Sequence, residues 1–203
     1  ARRFRYPFTN CTRCGPRFSI VEALPYDRAR TSMKSFELCI DCAAEYATES
    51  DRRFHAEPTA CPACGPALEL LATNGKRLAS REDALQRAAA LLRQGGILAL
   101  RGLGGFQLLT DATDDEAVRR LRQRKHREEK PFAVLFESLT QARTQLELSE
   151  PEEQALSCRE APIVLVRRRL ESTVSAGVAP GDPRLGALLP YTPLHRLLVR
   201  TEG

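Results

Sequence analysis

Two short stretches, Cys39-Ile-Asp-Cys42 and Cys61-Pro-Ala-Cys64, decide how the first third of this chain folds. Each places two cysteines in a CxxC pair, and 18 residues separate the two pairs. Zinc in a structural site takes four tetrahedral thiolates, and this spacing is typical of the two halves of one such site. We therefore predict that Cys39, Cys42, Cys61 and Cys64 bind one zinc ion, which is structural because no coordination position stays open.

A third pair, Cys11 and Cys14, is followed by a gap of 24 residues, too long for the same pairing. Residues 1–16 match residues 51–66 at an offset of 50, with eight identities in sixteen positions. The identical pairs are Arg2/Arg52, Arg3/Arg53, Phe4/Phe54, Thr9/Thr59, Cys11/Cys61, Cys14/Cys64, Gly15/Gly65 and Pro16/Pro66. The repeat predicts two copies of one zinc module. Cys11 and Cys14 are then half of a second zinc site whose partners lie upstream, so we expect the chain to begin inside its first finger.

Three alternatives stay open for the cysteine-rich region. Cys11 and Cys14 could form a spare dithiol, or they could belong to a site shared across a dimer. His55 is an alternative ligand for the complete site. The glycine that follows the second cysteine of each copy, Gly15 or Gly65, is expected to give the backbone the freedom for a tight turn.

The composition is that of a globular chain, with 42% hydrophobic and 28% charged residues, which excludes wholesale disorder. No apolar run approaches the ~18 residues that a membrane helix needs, and the first residues lack the apolar core of a signal peptide. We therefore expect a cytoplasmic protein with no membrane partner, in which the cysteines bind metal and do not form disulfides. The net charge of +5 permits a nucleic-acid partner without implying one.

From Ser80 onward the sequence alternates helical patterns with short apolar runs. Ser80-Arg-Glu-Asp83 is typical of a capping box, and Gly95-Gly96 is typical of a helix end. Strands are predicted over 97–100, 132–136 and 163–166, and helices over 114–125, 138–148, 151–158 and 194–199. The glycine- and proline-rich residues 171–186 are predicted to form a flexible loop. The alternation favours a layered α/β domain.

The fold class predicted for the whole chain is therefore α/β. Small four-cysteine zinc modules occupy residues 1–66, a linker covers 67–79, and the layered α/β domain fills 80–203.

Two basic features of the second half could bind phosphate. Arg101 opens the stretch Arg101-Gly-Leu-Gly-Gly-Phe106 after a predicted strand, although a tight turn between strands explains these glycines equally well. Lys125, Arg127 and Lys130 leave a predicted helix just before a strand, so that three cations can converge on a polyphosphate. The alternative for such a basic run is a solvated helix face. No catalytic residue is predicted, because neither His126 nor His195 has a visible acid–base partner.

The chain resembles the carbamoyltransferase HypF family of nickel–iron hydrogenase maturation factors over nearly its whole length. The matching stretches are Cys11-Thr-Arg-Cys-Gly-Pro-Arg-Phe-Ser-Ile20, Pro25-Tyr-Asp-Arg28, Thr31-Ser-Met33, Asp51-Arg-Arg-Phe-His-Ala56, Gly102-Leu-Gly-Gly-Phe106, Lys130-Pro-Phe-Ala133 and Leu189-Pro-Tyr-Thr-Pro-Leu-His195. The resemblance implies tandem four-cysteine zinc fingers followed by a YrdC-like domain, which would be incomplete at its C-terminal end.

The resemblance also implies an activity and its participants. In this family carbamate derived from carbamoyl phosphate reacts with ATP, with Mg²⁺, to give carbamoyl-adenylate and pyrophosphate. The carbamoyl group then passes to the C-terminal cysteine of a HypE-type acceptor protein, on the way to a cyanide ligand. The Lys-x-Arg-x-x-Lys pattern that resembles the nucleotide-phosphate grip of YrdC-type proteins falls on Lys125, Arg127 and Lys130, and Arg101 is a further candidate.

The sequence departs from the family pattern at three places. Arg101 stands where the family has lysine, Gln107 stands where it has histidine, and no Ser-x-Asn element occurs. We therefore expect this chain alone to have weak or no adenylating activity.

A rival hypothesis from another class is a double-stranded RNA-binding module, with phosphate contacts from the basic stretch 119–130.

Overall fold

The computed structural model describes residues 2–13 and 18–200 and divides the chain into two compact units, Ala1–Glu69 and Leu70–Gly203. None of the helices in the described ranges has the length and apolar character needed to cross a membrane.

The first unit consists mostly of turns around a small apolar core. Within residues 2–13 and 18–69, its regular elements include three 3₁₀ turns, Phe18–Ile20, Arg28–Arg30 and Ser32–Ser35, and one helix, α1, Ile40–Ala47. Tyr6, Met33 and Ala60 are buried together at its centre. So small a core leaves much of the stability of this unit to other interactions.

The sequence repeat is visible in the backbone of the first unit. Arg5 and His55, which are equivalent at the offset of 50, both adopt left-handed backbone conformations, with φ of 56° and 46°. Backbone hydrogen bonds recur at the same offset: Tyr6 N to Arg3 O and Ala56 N to Arg53 O, then Thr9 N to Tyr6 O and Thr59 N to Ala56 O. The two copies therefore share a local fold as well as a sequence.

The second unit contains three small sheets and five helices within its described residues. In chain order the elements are β1 Glu69–Leu71, β2 Arg77–Ser80, α2 Arg81–Arg93, β3 Leu98–Gly102, β4 Gly105–Leu109, α3 Asp115–Lys125, β5 Ala133–Leu135, α4 Leu139–Gln145, α5 Glu150–Ser157, β6 Val164–Arg167, a 3₁₀ turn Ala176–Val178, β7 Arg184–Leu188 and α6 Pro193–Arg200. The predicted helices and strands are found at their expected places, and the α/β class is confirmed.

The sheets of the second unit are two-stranded except for one. β1 pairs with β2, β3 pairs with β4 in antiparallel register, and the third sheet has the order β5-β7-β6. In that third sheet β7 runs parallel to β5 and antiparallel to β6. The main core lies against it, and its buried members are Val118, Val134, Phe136, Ala142, Leu146, Leu156, Val166, Val174, Val178, Ala179, Leu185 and Ala187.

The end of α2 and the start of α3 have the hydrogen bonds that the sequence predicts for them. Gly95 adopts φ of 72°, and the amide of Gly96 bonds to the carbonyl of Leu91, which is a Schellman ending of α2. The Asp114 carboxylate accepts the amides of Glu116 and Ala117 at the start of α3. α3 therefore begins and ends as the sequence predicts.

Three local expectations differ from the structure. Residues 67–79, expected to be a linker, contain most of the β1–β2 pair. The predicted loop over 171–186 is wrong at its end, because β7 is the central strand of its sheet; its Gly186 and Ala187 lack the β-branched side chains that reveal a strand. Ser80 precedes α2 but makes no capping hydrogen bond through its side chain, since it also ends β2.

Gly65 is required for a reason other than the one the sequence suggests. Its φ is not in the left-handed region. A Cβ atom at this position would lie 2.2 Å from the Tyr6 hydroxyl and 2.5 Å from the Cβ of Ala60. Close approach of Tyr6 from the first copy and of Ala60 from the same copy as Gly65, and not backbone freedom, therefore excludes a side chain here.

We expect Gly65→Ala to lower the free energy of unfolding of the first unit by about 1–3 kcal/mol, because the added methyl overpacks a closed contact. The measurement is a urea titration of zinc-loaded protein, followed by release of zinc to a colorimetric chelator. Gly104→Ala is the control, since nothing lies within 4 Å of a Cβ atom there. An unchanged midpoint for Gly65→Ala contradicts the packing explanation.

Candidate zinc centre and candidate nucleotide site

Four sulfurs in the first unit have the arrangement of a zinc site. The Sγ atoms of Cys39, Cys42, Cys61 and Cys64 all lie within 4.8 Å of one another. The Sγ of Cys61 is 3.7 Å from that of Cys39 and 3.7 Å from that of Cys64. Zn–S bonds of about 2.3 Å in a tetrahedron separate neighbouring sulfurs by about 3.8 Å. The four cysteines named from their spacing therefore fit zinc in number, type and separation.

One cysteine pair is supplied by a helix start. Cys39 is the N-cap of α1, and Cys42 lies in its first turn, where it is fully buried. The positive end of a helix dipole favours thiolate over thiol at such positions. Burial acts in the opposite direction and raises the pKa of the Cys42 thiol to about 12, against the Arg2 hydrogen bond that lowers it. Binding of a cation such as zinc would therefore be needed to hold this buried sulfur as a thiolate.

The other pair lies in a tight turn. Burial acts to raise the pKa of Cys61, but amide donation from Ala63 and Cys64 to its sulfur prevails and lowers that pKa to about 6. The turn is closed by the amides of Cys64 and Gly65, which bond to the carbonyl of Cys61. The backbone therefore prepares this sulfur to bind metal as a thiolate.

The first copy repeats part of this turn. The amide of Arg13 donates to the sulfur of Cys11 at 3.4 Å, as the equivalent Ala63 does to Cys61. Cys11 is exposed, and Cys14 lies outside the described residues. His55 packs on the rings of Tyr46 and Phe54. It does not belong to the four-cysteine group, which is the one metal-binding group found among residues 2–13 and 18–200.

We expect Cys39→Ser to abolish zinc binding by the four-cysteine group, because three thiolates and one hydroxyl are a poor match for a structural zinc ion. Zinc per chain is measured after gel filtration. Cys158→Ser is the control, since Cys158 is half-buried in the second unit and belongs to no such group. Equal zinc content in both variants would show that the four sulfurs are not the ligands.

The second unit contains a cavity of about 650 Å³ that two of the predicted phosphate-binding residues line. Lys125 is the last residue of α3, and Arg127 follows after His126 turns the chain with φ of 47°. The guanidinium carbon of Arg127 lies 5.3 Å from the centre of the Phe132 ring, which also lines the cavity. Thr110 adds a hydroxyl to the lining. Two cations and an aromatic ring at one cavity suit a nucleotide phosphate.

The other two predicted phosphate-binding residues lie elsewhere. Lys130 is exposed and is not among the described residues that line the cavity. Arg101 is exposed on β3, paired with Phe106 across the hairpin. Gly102 and Gly105 form the last pair of the two strands, and Leu103 and Gly104 make the tight turn between β3 and β4.

Arg122 organises the basic loop and was not singled out from the sequence. Its guanidinium donates to five carbonyls, which belong to Arg127, Glu128, Lys130, Gly177 and Val178. Its guanidinium carbon also lies 4.6 Å from the centre of the Phe132 ring. Burial, followed by the charge of Arg127, lowers its pKa. The available signal was its place beside the apolar stripe of α3, next to Leu121.

We expect Arg122→Ala to raise the rate of tryptic cleavage within residues 125–130 by about 10- to 100-fold, because the loop loses its charged hydrogen bonds. Cleavage products are quantified by mass spectrometry. Arg124→Ala is the control, since this exposed arginine lies on the same helix. Equal cleavage of the two variants would show that Arg122 does not hold the loop.

A buried hydrogen-bond network joins Gln107, which lines the cavity, to His195. Both positions were named in the comparison with the family pattern. His195 is 2% exposed; its Nε2 lies 2.8 Å from Gln107 Oε1, and its Nδ1 lies 2.8 Å from Thr192 Oγ1. Gln107 donates in turn to the hydroxyl of Tyr191. Burial lowers the pKa of His195, which favours the neutral ring within this hydrogen-bond network. The sequence could not show partners that lie 88 residues away.

Two family models match the chain. A Sua5/YciO/YrdC model, described as telomere recombination, matches residues 90–203. The chain belongs to this family. A second model, described as HypF finger, matches residues 1–21 and 38–71, which contain all three CxxC pairs.

Relatives that match the whole chain agree with this assignment. Carbamoyltransferase HypF of Rhodobacter capsulatus is 52% identical over 202 residues, which are 100% of this chain and 26% of that protein. A crystal structure of full-length HypF in the phosphate- and nucleotide-bound form matches with a TM-score of 0.87 at 43% identity, over 100% of this chain and 26% of that one. The structure of T. kodakarensis HypF gives a TM-score of 0.91 at 41% identity, over 98% and 26%.

The resemblance to the HypF family is therefore confirmed, as a zinc-finger region followed by a YrdC-like domain. The chain spans about a quarter of the length of the relatives it matches.

Proposed function

We propose that this YrdC-like chain is the zinc-finger and adenylating part of a carbamoyltransferase. The observation that carries the proposal is the cavity lined by Lys125 and Arg127, with Arg122 holding the loop from which Arg127 comes. Similar proteins are named carbamoyltransferase HypF, and one of them was solved with phosphate and nucleotide bound. These relatives support a nucleotide as the occupant of the cavity.

The reaction proposed for the cavity is adenylation of carbamate. A carbamate oxygen attacks the α-phosphorus of ATP, the bond from that phosphorus to the bridging oxygen breaks, and pyrophosphate leaves with the electron pair. Lys125 and Arg127 offset the charge that develops on the phosphate oxygens. The carboxylate of Asp111, which also lines the cavity, is an oxygen ligand of the kind that Mg²⁺ prefers.

The remaining participants follow from the same family assignment. Carbamate comes from carbamoyl phosphate, and the carbamoyl group is passed to the C-terminal cysteine of a HypE-type acceptor for conversion to a cyanide ligand. The zinc centre is a structural spacer in this scheme, since four thiolates leave no open position. A cytoplasmic location suits both ATP and reduced zinc-binding cysteines.

The test uses a chimera in which this chain replaces the matching quarter of Rhodobacter capsulatus HypF. We expect carbamoyl-phosphate-dependent ATP–pyrophosphate exchange, reduced about 100-fold by Lys125→Ala, because one cation in contact with the reacting phosphates is lost. Arg124→Ala is the control and should retain exchange. The chain by itself is expected to give little or no exchange, as it has no Ser-x-Asn element.

Two results would contradict the proposal. Full exchange in Lys125→Ala would remove this residue from the phosphate site. No exchange by a folded, zinc-loaded chimera would sink the adenylation hypothesis. Binding of double-stranded RNA that weakens steeply with salt, and that ATP does not displace, would then favour the RNA-binding alternative.

A further inference from the structure

Two arginines that are not metal ligands touch the sulfurs of the four-cysteine group. Arg2 Nη1 lies 3.0 Å from Cys42 Sγ and 3.8 Å from Cys39 Sγ. Arg3 Nη2 lies 3.2 Å from the same Cys42 sulfur. Cys42 is fully buried, so both guanidinium groups donate to a sulfur that water does not reach.

Glu45 holds the two guanidinium groups side by side. Its carboxylate, one helical turn after Cys42, accepts from both Arg2 and Arg3. These hydrogen bonds lower the pKa of Glu45 to about 2. Partial burial of the carboxylate acts to raise the pKa but is outweighed. Because the Glu45 carboxylate lies between the two positively charged guanidinium groups, it offsets their repulsion, and both can stay close to the sulfurs.

The arginines come from a different repeat copy than the sulfurs they contact. Arg2 and Arg3 belong to residues 1–16, whereas the four sulfurs belong to the site completed by residues 51–66. The packing between the copies is reciprocal. Arg3 Nε donates to the backbone carbonyl of Ala60, and its equivalent, Arg53, donates through Nη1 to the side-chain Oδ1 of Asn10, which is the equivalent of Ala60. The contact is thus a built feature of the packing of one copy on the other.

The charges of the zinc site and of the two arginines indicate what their contact does. A zinc ion with four thiolates carries a net charge of −2, and two adjacent arginines offset it. Arginine–sulfur hydrogen bonds withdraw charge from the thiolates, so that they compete less well for protons and exchange less readily. The Arg3 side chain is only 12% exposed, so screening by salt and water is weak.

We propose that Arg2 and Arg3, aligned by Glu45, form a charge clamp that retains zinc in the site of the other repeat copy. The clamp makes metal retention in one finger depend on the packing of its neighbour.

The test measures transfer of zinc to a chelating dye. All variants carry Cys11→Ser and Cys14→Ser, so that one site is observed. We expect the double variant Arg2→Gln/Arg3→Gln to lose zinc about 10- to 100-fold faster than its parent. Glu45→Gln should fall between the two. Substitution with cobalt checks that the tetrahedral sulfur site is still formed, through its thiolate charge-transfer absorption.

Arg52→Gln is the matched control. It removes one positive charge, as the single variant Arg2→Gln does, at the repeat-equivalent position of Arg2, and Arg52 makes none of the described hydrogen bonds to the four sulfurs. A transfer rate in the double variant equal to that of its parent would overturn the proposal. Acceleration by Arg52→Gln equal to that by Arg2→Gln would also overturn it, because net charge alone would then be the cause.

A second variant covers failure of the double variant to fold. Arg2→Lys/Arg3→Lys keeps both charges and loses the planar fork that bonds sulfur and carboxylate together. We expect this variant to lose zinc faster than the parent and to retain the cobalt absorption. A rate equal to that of the parent would show that the fork has no part in holding the metal.

Discussion

Attraction between one divalent cation and four thiolates is the constraint on which the first unit depends. Its apolar core is limited to a few side chains around Tyr6, and much of its length forms turns without regular structure. A unit of this size gains too little from hydrophobic burial to offset the entropy of ordering its chain. Zinc bound by the four sulfurs would supply the difference, because the ligands converge only when the fold is formed. The second unit has no such need, since it closes its core against a three-stranded sheet.

The zinc centre could be derived almost completely from the sequence. CxxC spacing identified the four ligands, and the offset of 50 identified the repeat that the backbone shows at Arg5 and His55. Spacing identifies the ligands, but it cannot identify side chains from other segments that contact the ligand sulfurs. Arg2 lies 40 residues before Cys42, and nothing in the local pattern links them. Gly65 illustrates the same limit, because its need to be small comes from Tyr6 and not from its own backbone.

The candidate nucleotide site was predictable in its charges and less so in its geometry. Helix α3, its Asp114 cap and its end at Lys125 follow from local sequence. The three-dimensional course of the loop depends on Arg122, whose acceptors are carbonyls that every residue has. The sequence therefore identifies the cationic residues, but it does not identify Arg122 as the residue that positions their loop. For that reason Lys130 was grouped with Lys125 and Arg127, although its side chain does not line the cavity. The strand β7 was missed for a related cause, as Gly186 and Ala187 pair through backbone alone.

Arginine has one physical role at two distant places in this chain. Arg3 uses its three nitrogens for a carbonyl, a carboxylate and a sulfur, and Arg122 uses its three for five carbonyls. A lysine ammonium is a point charge and could not bridge acceptors that lie in a plane several ångströms apart. The chain has far more arginine than lysine, and composition alone would suggest a habit of the source genome. At these two positions the fork itself is required. In the first unit it joins two repeat copies around a metal site, and in the second it joins two loops around a cavity.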